Sequence, residues 1–219
     1  MIKAVIFDMD GVIVDSEPLH HKAYQNMFKD VGIKVSDALY ESYTGQATLP
    51  ICQHLCKTFN LTESPETLMA IKRKHFKYLF DNDNSFTLID GVLELIQDYH
   101  NNDLKLVLAS SASMPNINRI FNRFSLNQYF IAKLSGADLK ASKPHPEIFI
   151  NAAKASGFKR EECVVIEDST NGIKAANAAG IYSIAFDSKH SKNQDYSTAN
   201  KVITDFMEIR YNKIKNVLK

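Results

Sequence analysis

Lys3-Ala4-Val5-Ile6-Phe7-Asp8-Met9-Asp10-Gly11 sets four uncharged, mostly β-favouring residues directly against two carboxylates and a glycine. A short apolar run closed by a turn signal reads as a strand buried on both faces. Side chains alternate along a strand, so if the extended backbone persists to its end, Asp8 and Asp10 face one side at the lip of a sheet. Two anions placed together on an apolar edge repel each other and need a cation or a shared proton. Gly11 lets the chain turn sharply away with no Cβ in its path.

Working outward, Pro18 suits the start of a helix with Ser16 or Glu17 near its cap, and Leu19, Ala23, Met27 and Val31 follow at helical spacing up to Gly32. Thr48-Leu49-Pro50 opens a helix reaching about Phe59, and Ser64-Pro65 opens another running to about Phe80. The latter carries Leu68, Ile71, Phe76 and Leu79 on one side, with Lys72, Arg73, Lys74 and Lys77 read as a solvated face. The polar run Asp81-Asn82-Asp83-Asn84-Ser85 reads as a hinge.

Beyond it, strands alternate with helices. Lys105–Ala109 is a strand ending in Ser110-Ser111, Phe130–Leu134 a further candidate, and Cys163–Ile166 a buried strand ending in Glu167-Asp168-Ser169. Tyr182–Phe186 and Lys201–Ile203 follow, separated by a polar loop over 187–200. A closing helix is expected to carry Met207, Tyr211, Ile214 and Leu218. This alternation predicts an α/β fold, a doubly wound parallel-sheet (Rossmann-like) core formed by residues 1–15 and 86–219, with an all-helical domain inserted at 16–85.

The 219-residue chain is 45% hydrophobic and 23% charged, ordinary globular composition, and its net charge of +1 offers nothing to nucleic acid or an anionic membrane. Cys52, Cys56 and Cys163 are too few and scattered for a disulfide framework, and no cluster completes a zinc set, so all three read as reduced. A strand beginning at residue 3 leaves no room for a signal peptide, and no apolar run reaches membrane-spanning length; the expectation is a soluble, cytoplasmic protein.

In open parallel sheets ligands bind beyond the carboxyl ends of the strands, so Asp8/Asp10, Ser110/Ser111 and Glu167/Asp168 should converge at one rim, with Lys143 as the cation to join them. Up to four carboxylates there need a strong counter-charge, and a hard divalent cation held by a few carboxylates and waters fits Mg2+. Hydroxyls, an ammonium and Mg2+ together describe a site for a phosphate. The chain lacks a P-loop, so that phosphate belongs to a substrate.

Phe7-Asp8-Met9-Asp10-Gly11, Ser110 after a strand, Lys143-Pro144 and Glu167-Asp168, in this order, resemble the four motifs of the haloacid dehalogenase-like superfamily. Asp15-Ser16-Glu17-Pro18-Leu19-His20, and Glu167-Asp168-Ser169 with Gly172 and Ala179-Gly180, are similar to its phosphatase and β-phosphoglucomutase branch, which carries a small helical cap after the first strand. The resemblance implies that Asp8 attacks phosphorus and that Asp10 serves as general acid and then base. One Mg2+ per chain would be held by Asp8, Asp10 through its carbonyl, Asp168 and Glu167. Ser110, Ser111 and Lys143 would grip phosphoryl oxygens, and His20 and Lys74 of the cap would reach the substrate.

The activity implied is hydrolysis of a small phosphorylated metabolite, a sugar or polyol phosphate. An aspartate at position 10 argues against a C–halogen substrate. The alternative is a β-phosphoglucomutase-like mutase. In Thr44-Gly45-Gln46-Ala47-Thr48-Leu49-Pro50, however, a threonine stands where such mutases place an arginine. Losing that charge-assisted grip costs about 1.5–3 kcal/mol. A non-catalytic binding module would be expected to have lost Asp8, Asp10, Lys143 or Asp168, and all are present. A small cap and compact core are compatible with a monomer.

Overall fold

A computed structural model describes residues 1–43, 46–83, 86–137, 139–188 and 193–217. Thr44 and Gly45 of the arginine-replacing stretch, Asn84 and Ser85 of the expected hinge, residues 189–192 of the polar loop and Leu218 of the closing helix lie outside the described residues. The chain divides into two compact units, Met1–Asp15 with Leu88–Lys219, and Ser16–Thr87.

Strand β1 (Ala4–Phe7) is followed by helices α1 (Glu17–Asp30), α2 (Asp37–Glu41), α3 (Thr48–Phe59) and α4 (Pro65–Asn82). Then come α5 (Val92–Asn101), β2 (Lys105–Ser110), α6 (Met114–Arg123), β3 (Phe130–Ser135), α7 (Glu147–Ser156), β4 (Cys163–Glu167), α8 (Thr170–Ala178), β5 (Tyr182–Phe186), β6 (Lys201–Ile203) and α9 (Tyr211–Ile214).

Among the described residues one sheet of six strands runs in the order β3-β2-β1-β4-β5-β6, with every pairing parallel. This is the α/β Rossmann-like architecture that the alternation of strands and helices predicts. β1 lies between β2 and β4, with Phe7 opposite both Leu108 and Ile166. The ends of β1, β2 and β4 therefore lie side by side at one edge of the sheet, β2 and β4 running slightly past β1, at the point where the chain has wound outward to β3 and returns to the other side of β1.

The apolar run of β1 is unbroken because both its faces are covered. Ala4 and Ile6 pack in a cluster with Phe149 and Ala152 of α7 and Ala175 and Ala176 of α8. Phe7 on the other face meets the rings of Tyr99 and Phe130 at 6.2 and 5.7 Å. In the helical unit, α1, α3 and α4 close around Met27, Cys52, Leu55 and Leu68. The Ser64 hydroxyl caps α4 by accepting the Thr67 N–H.

Three expectations are corrected. The first strand ends at Phe7, so alternation does not extend to Asp10. A compact turn follows, in which the Met9 carbonyl accepts the N–H groups of Ile13 and Val14 and Gly11 takes φ +82°. The closing segment is not one helix. An Asp205/Glu208 capping box locks a 3-10 turn over Phe206–Ile209, the chain extends at Arg210, and α9 is four residues long. The Tyr99 hydroxyl takes the Ile209 carbonyl at 2.6 Å, the acceptor that a continuous helix would give to the Lys213 N–H. Met207 is accordingly exposed.

The third correction concerns Lys72, which is buried rather than solvated. Leu68, Lys72, Phe76 and Phe80 recur every fourth residue along α4 and all are buried, so the lysine lies within the apolar stripe.

Candidate active site

The neighbouring ends of the three central strands place Asp8 one residue past β1, Ser110 last on β2 and Glu167 last on β4. Asp8, Ser110 and Glu167 are buried. Lys143, from the segment before α7, reaches into their midst. Its ammonium donates to Asp8 Oδ1 at 2.5 Å, to Glu167 Oε1 at 2.8 Å and to the Ala109 carbonyl at 3.1 Å. An ammonium has three protons, and each has an acceptor here. The Lys143 side chain is only 4% exposed, and it lies over the Phe149 ring at 4.8 Å.

Glu167 is held at both ends. While Oε1 accepts from Lys143, Oε2 accepts from the Ser169 N–H at 2.7 Å and its hydroxyl at 2.9 Å. Ser169 in turn caps α8 by accepting the Gly172 N–H. Gly172 is required by this geometry, since a Cβ there would overlap the Glu167 carboxyl. Likewise a Cβ on Gly11 would overlap the Asp168 carboxylate, which places Asp168 directly against the β1 turn. The Ser110 hydroxyl accepts the Ala112 N–H at 3.0 Å, and it still carries a proton to donate. Ser111 follows it, half-buried.

These contacts set the electrostatics. Burial pushes the Asp8 carboxyl up to about 7, opposed by Lys143 and reinforced by the nearby charges of Glu167 and Asp10. Burial alone would lower the Lys143 ammonium, yet Asp8 and Glu167 overcome that and hold it above its ordinary value. The two shifts differ in origin: burial dominates at Asp8, whereas Lys143 is raised because one cation faces two carboxylates. The site favours additional positive charge.

The segment 5–186 matches the model of the haloacid dehalogenase-like hydrolases. This chain belongs to that family. Among its haloacid dehalogenase-like relatives is a phosphorylated carbohydrates phosphatase from Thermotoga maritima, 31% identical over 183 residues that make up 82% of each protein. Hexitol phosphatase B from Escherichia coli is 28% identical, with 88% of this chain and 86% of that protein aligned. A solved β-phosphoglucomutase structure from Clostridium difficile superposes with a TM-score of 0.86 at 27% identity, covering 100% of this chain and 97% of that one.

Within the helical unit lies a second charged cluster. Lys72 Nζ stands 2.6 Å from His20 Nδ1, and it lies over the rings of Tyr24 and Phe76 at 4.9 and 5.1 Å. His20 stacks on Phe76 with centroids 4.5 Å apart. Lys74, two residues on, is exposed. The every-fourth-residue spacing from Leu68 to Phe80 is the signal that distinguishes the two lysines.

The fit of Gly172 carries a direct test. Gly172→Ala should force the Glu167 carboxyl out of place, costing about 1–3 kcal/mol in urea unfolding. Turnover should fall on the order of 10²-fold, because Glu167 positions Lys143 and a displacement of about 1 Å suffices for that loss.

Proposed function

We propose that this protein is a Mg2+-dependent phosphatase of small phosphorylated metabolites, sugar or polyol phosphates, working through an aspartyl phosphate on Asp8. The observation that carries this reading is the buried Lys143 ammonium bonded to both Asp8 and Glu167 at the meeting of β1, β2 and β4. It holds a carboxylate in one orientation at the rim where a parallel sheet binds ligands.

In this reading an Asp8 carboxylate oxygen attacks phosphorus and the phosphorus–oxygen bond to the leaving alcohol breaks. The departing oxygen takes its proton from Asp10. Asp10 then removes a proton from water, whose oxygen attacks phosphorus, and the bond to Asp8 breaks to release phosphate and restore the carboxylate. Ser110 donates its hydroxyl proton to a phosphoryl oxygen, with Ser111 beside it. Lys143 orients Asp8 and offsets its charge.

The donor set suits a hard cation. Among the described residues no three His, Cys, Asp or Glu side chains form a ready-made cluster. Mg2+ commonly uses only one or two carboxylates, completing its shell with waters and substrate oxygens. Asp8, Asp168 and the Asp10 carbonyl would hold one ion, and Glu167, whose two oxygens are engaged by Lys143 and Ser169, is assigned to holding Lys143. Bound there, the metal would shield Asp8 from the anionic phosphate and stabilise the transferring group. The β-phosphoglucomutase likeness favours a second reading, a phosphosugar mutase.

Incubation of the protein and MgCl2 with a panel of phosphorylated metabolites should release free phosphate most readily from sugar or polyol phosphates. Interconversion of glucose 1- and 6-phosphates with a bisphosphate primer, and little free phosphate, would replace the phosphatase reading with the mutase. No turnover of any substrate would overturn both.

A further inference from the structure

β4 keeps its ladder with β5 only as far as Glu167, opposite Ala185. Asp168 thus stands one residue beyond the sheet, where strand pairing no longer holds the backbone. The loop 193–200 reaches back to this point. Tyr196 donates its hydroxyl to the Asp168 carbonyl at 2.6 Å, bridging 28 positions of sequence. Next to that bond, the Thr170 N–H donates to Gln194 Oε1 at 2.8 Å, and the Asp195 N–H donates to Thr170 Oγ1 at 2.7 Å.

Three consecutive residues of one loop therefore grasp the two positions on either side of Ser169, the residue that caps α8. A loop that merely crossed the surface could be satisfied by its own turns and by water. This one is bonded to the backbone that carries Asp168, whose carboxylate lies against Gly11. Tyr196 itself is half-buried.

We propose that Tyr196 is a positioning residue, fixing the backbone of Asp168 so that its carboxylate faces a divalent cation at the rim between β1 and β4; this rests on the metal-dependent reading above. Groups that orient metal ligands typically account for 10–100-fold in metal affinity.

The test is calorimetric titration of MgCl2 alone into the metal-free wild type, Tyr196→Phe and Asp168→Asn, with melting temperatures of the same metal-free samples. Tyr196→Phe should bind Mg2+ about tenfold more weakly, melt within about 3 °C of the wild type, and regain its kcat at saturating Mg2+. Asp168→Asn should lose binding. Unchanged affinity in Tyr196→Phe, with binding lost in Asp168→Asn, would overturn the positioning role and leave the metal reading intact. A lowered melting temperature with unchanged affinity would mark the hydroxyl as a loop anchor, which also overturns it. Mg2+ binding that survives Asp168→Asn, or wild-type protein that takes up no Mg2+, would overturn the metal reading and the Tyr196 role with it.

Discussion

Asp8→Asn should lower phosphate release by about 10⁴–10⁶-fold, the scale of losing the nucleophile in an enzyme that works through a covalent intermediate. The amide keeps the shape of the carboxyl and an oxygen that can accept from Lys143, so the fold should survive. The same variant should reveal the cost of the buried charge. The native Asp8 carboxyl titrates at about 7 against an ordinary 3.8, so between these values the native state holds more protons than the unfolded chain. Wild-type stability contributed by this group is then full below the lower value and falls as pH rises toward the upper one. In metal-free buffer, urea unfolding from pH 4 to 8 should show Asp8→Asn gaining on the wild type as pH rises. A gap that stays constant would mean that Asp8 is not so perturbed, and turnover close to wild type would remove it as nucleophile.

Lys143→Met carries the second large effect. The methionine can retain contact with Phe149, but it leaves Asp8 and Glu167 buried without their cation. Breaking a buried pair from one side costs about 3–5 kcal/mol, chiefly because of the stranded charge. Turnover should drop at least about 10²–10³-fold, comparable with removing one preorganised electrostatic partner. The origin of the stability loss is checkable in urea: adding Glu167→Gln to Lys143→Met should recover part of it, since the uncompensated carboxylate is what destabilises. Full additivity of the two losses would contradict the shared network. Arginine should not rescue, because a planar guanidinium cannot direct its donors to Asp8, Glu167 and the Ala109 carbonyl as a compact ammonium does.

Much of the fold was legible because it rests on local pattern. β1 announces itself by an apolar run that only a doubly covered strand can use, and Pro18 and Ser64-Pro65 announce the starts of α1 and α4. What escaped was set by partners distant in sequence. The apolar residues near the C-terminus have helical spacing, yet Tyr99 takes the Ile209 carbonyl and the helix is interrupted. Lys72 looks like part of a charged face until its ammonium is seen against His20 and two rings.

The site divides in the same way. The residue types and their places after strands are written in the chain, and they were enough to gather carboxylates, hydroxyls and a lysine at one rim; the roles of nucleophile and proton carrier were implied by the family resemblance. Their assignment to particular acceptors was not. Only the registered ends of β1, β2 and β4 bring Asp8, Ala109 and Glu167 within reach of one ammonium. Only close packing, where two glycines make room for two carboxyls, separates Asp168 at the turn from Glu167 at the lysine. Sequence carries short-range preference, which suffices to choose strand, helix and motif. Hydrogen bonds and charge are settled by distances of a few ångströms between residues far apart in the chain, and those exist only once the sheet is assembled.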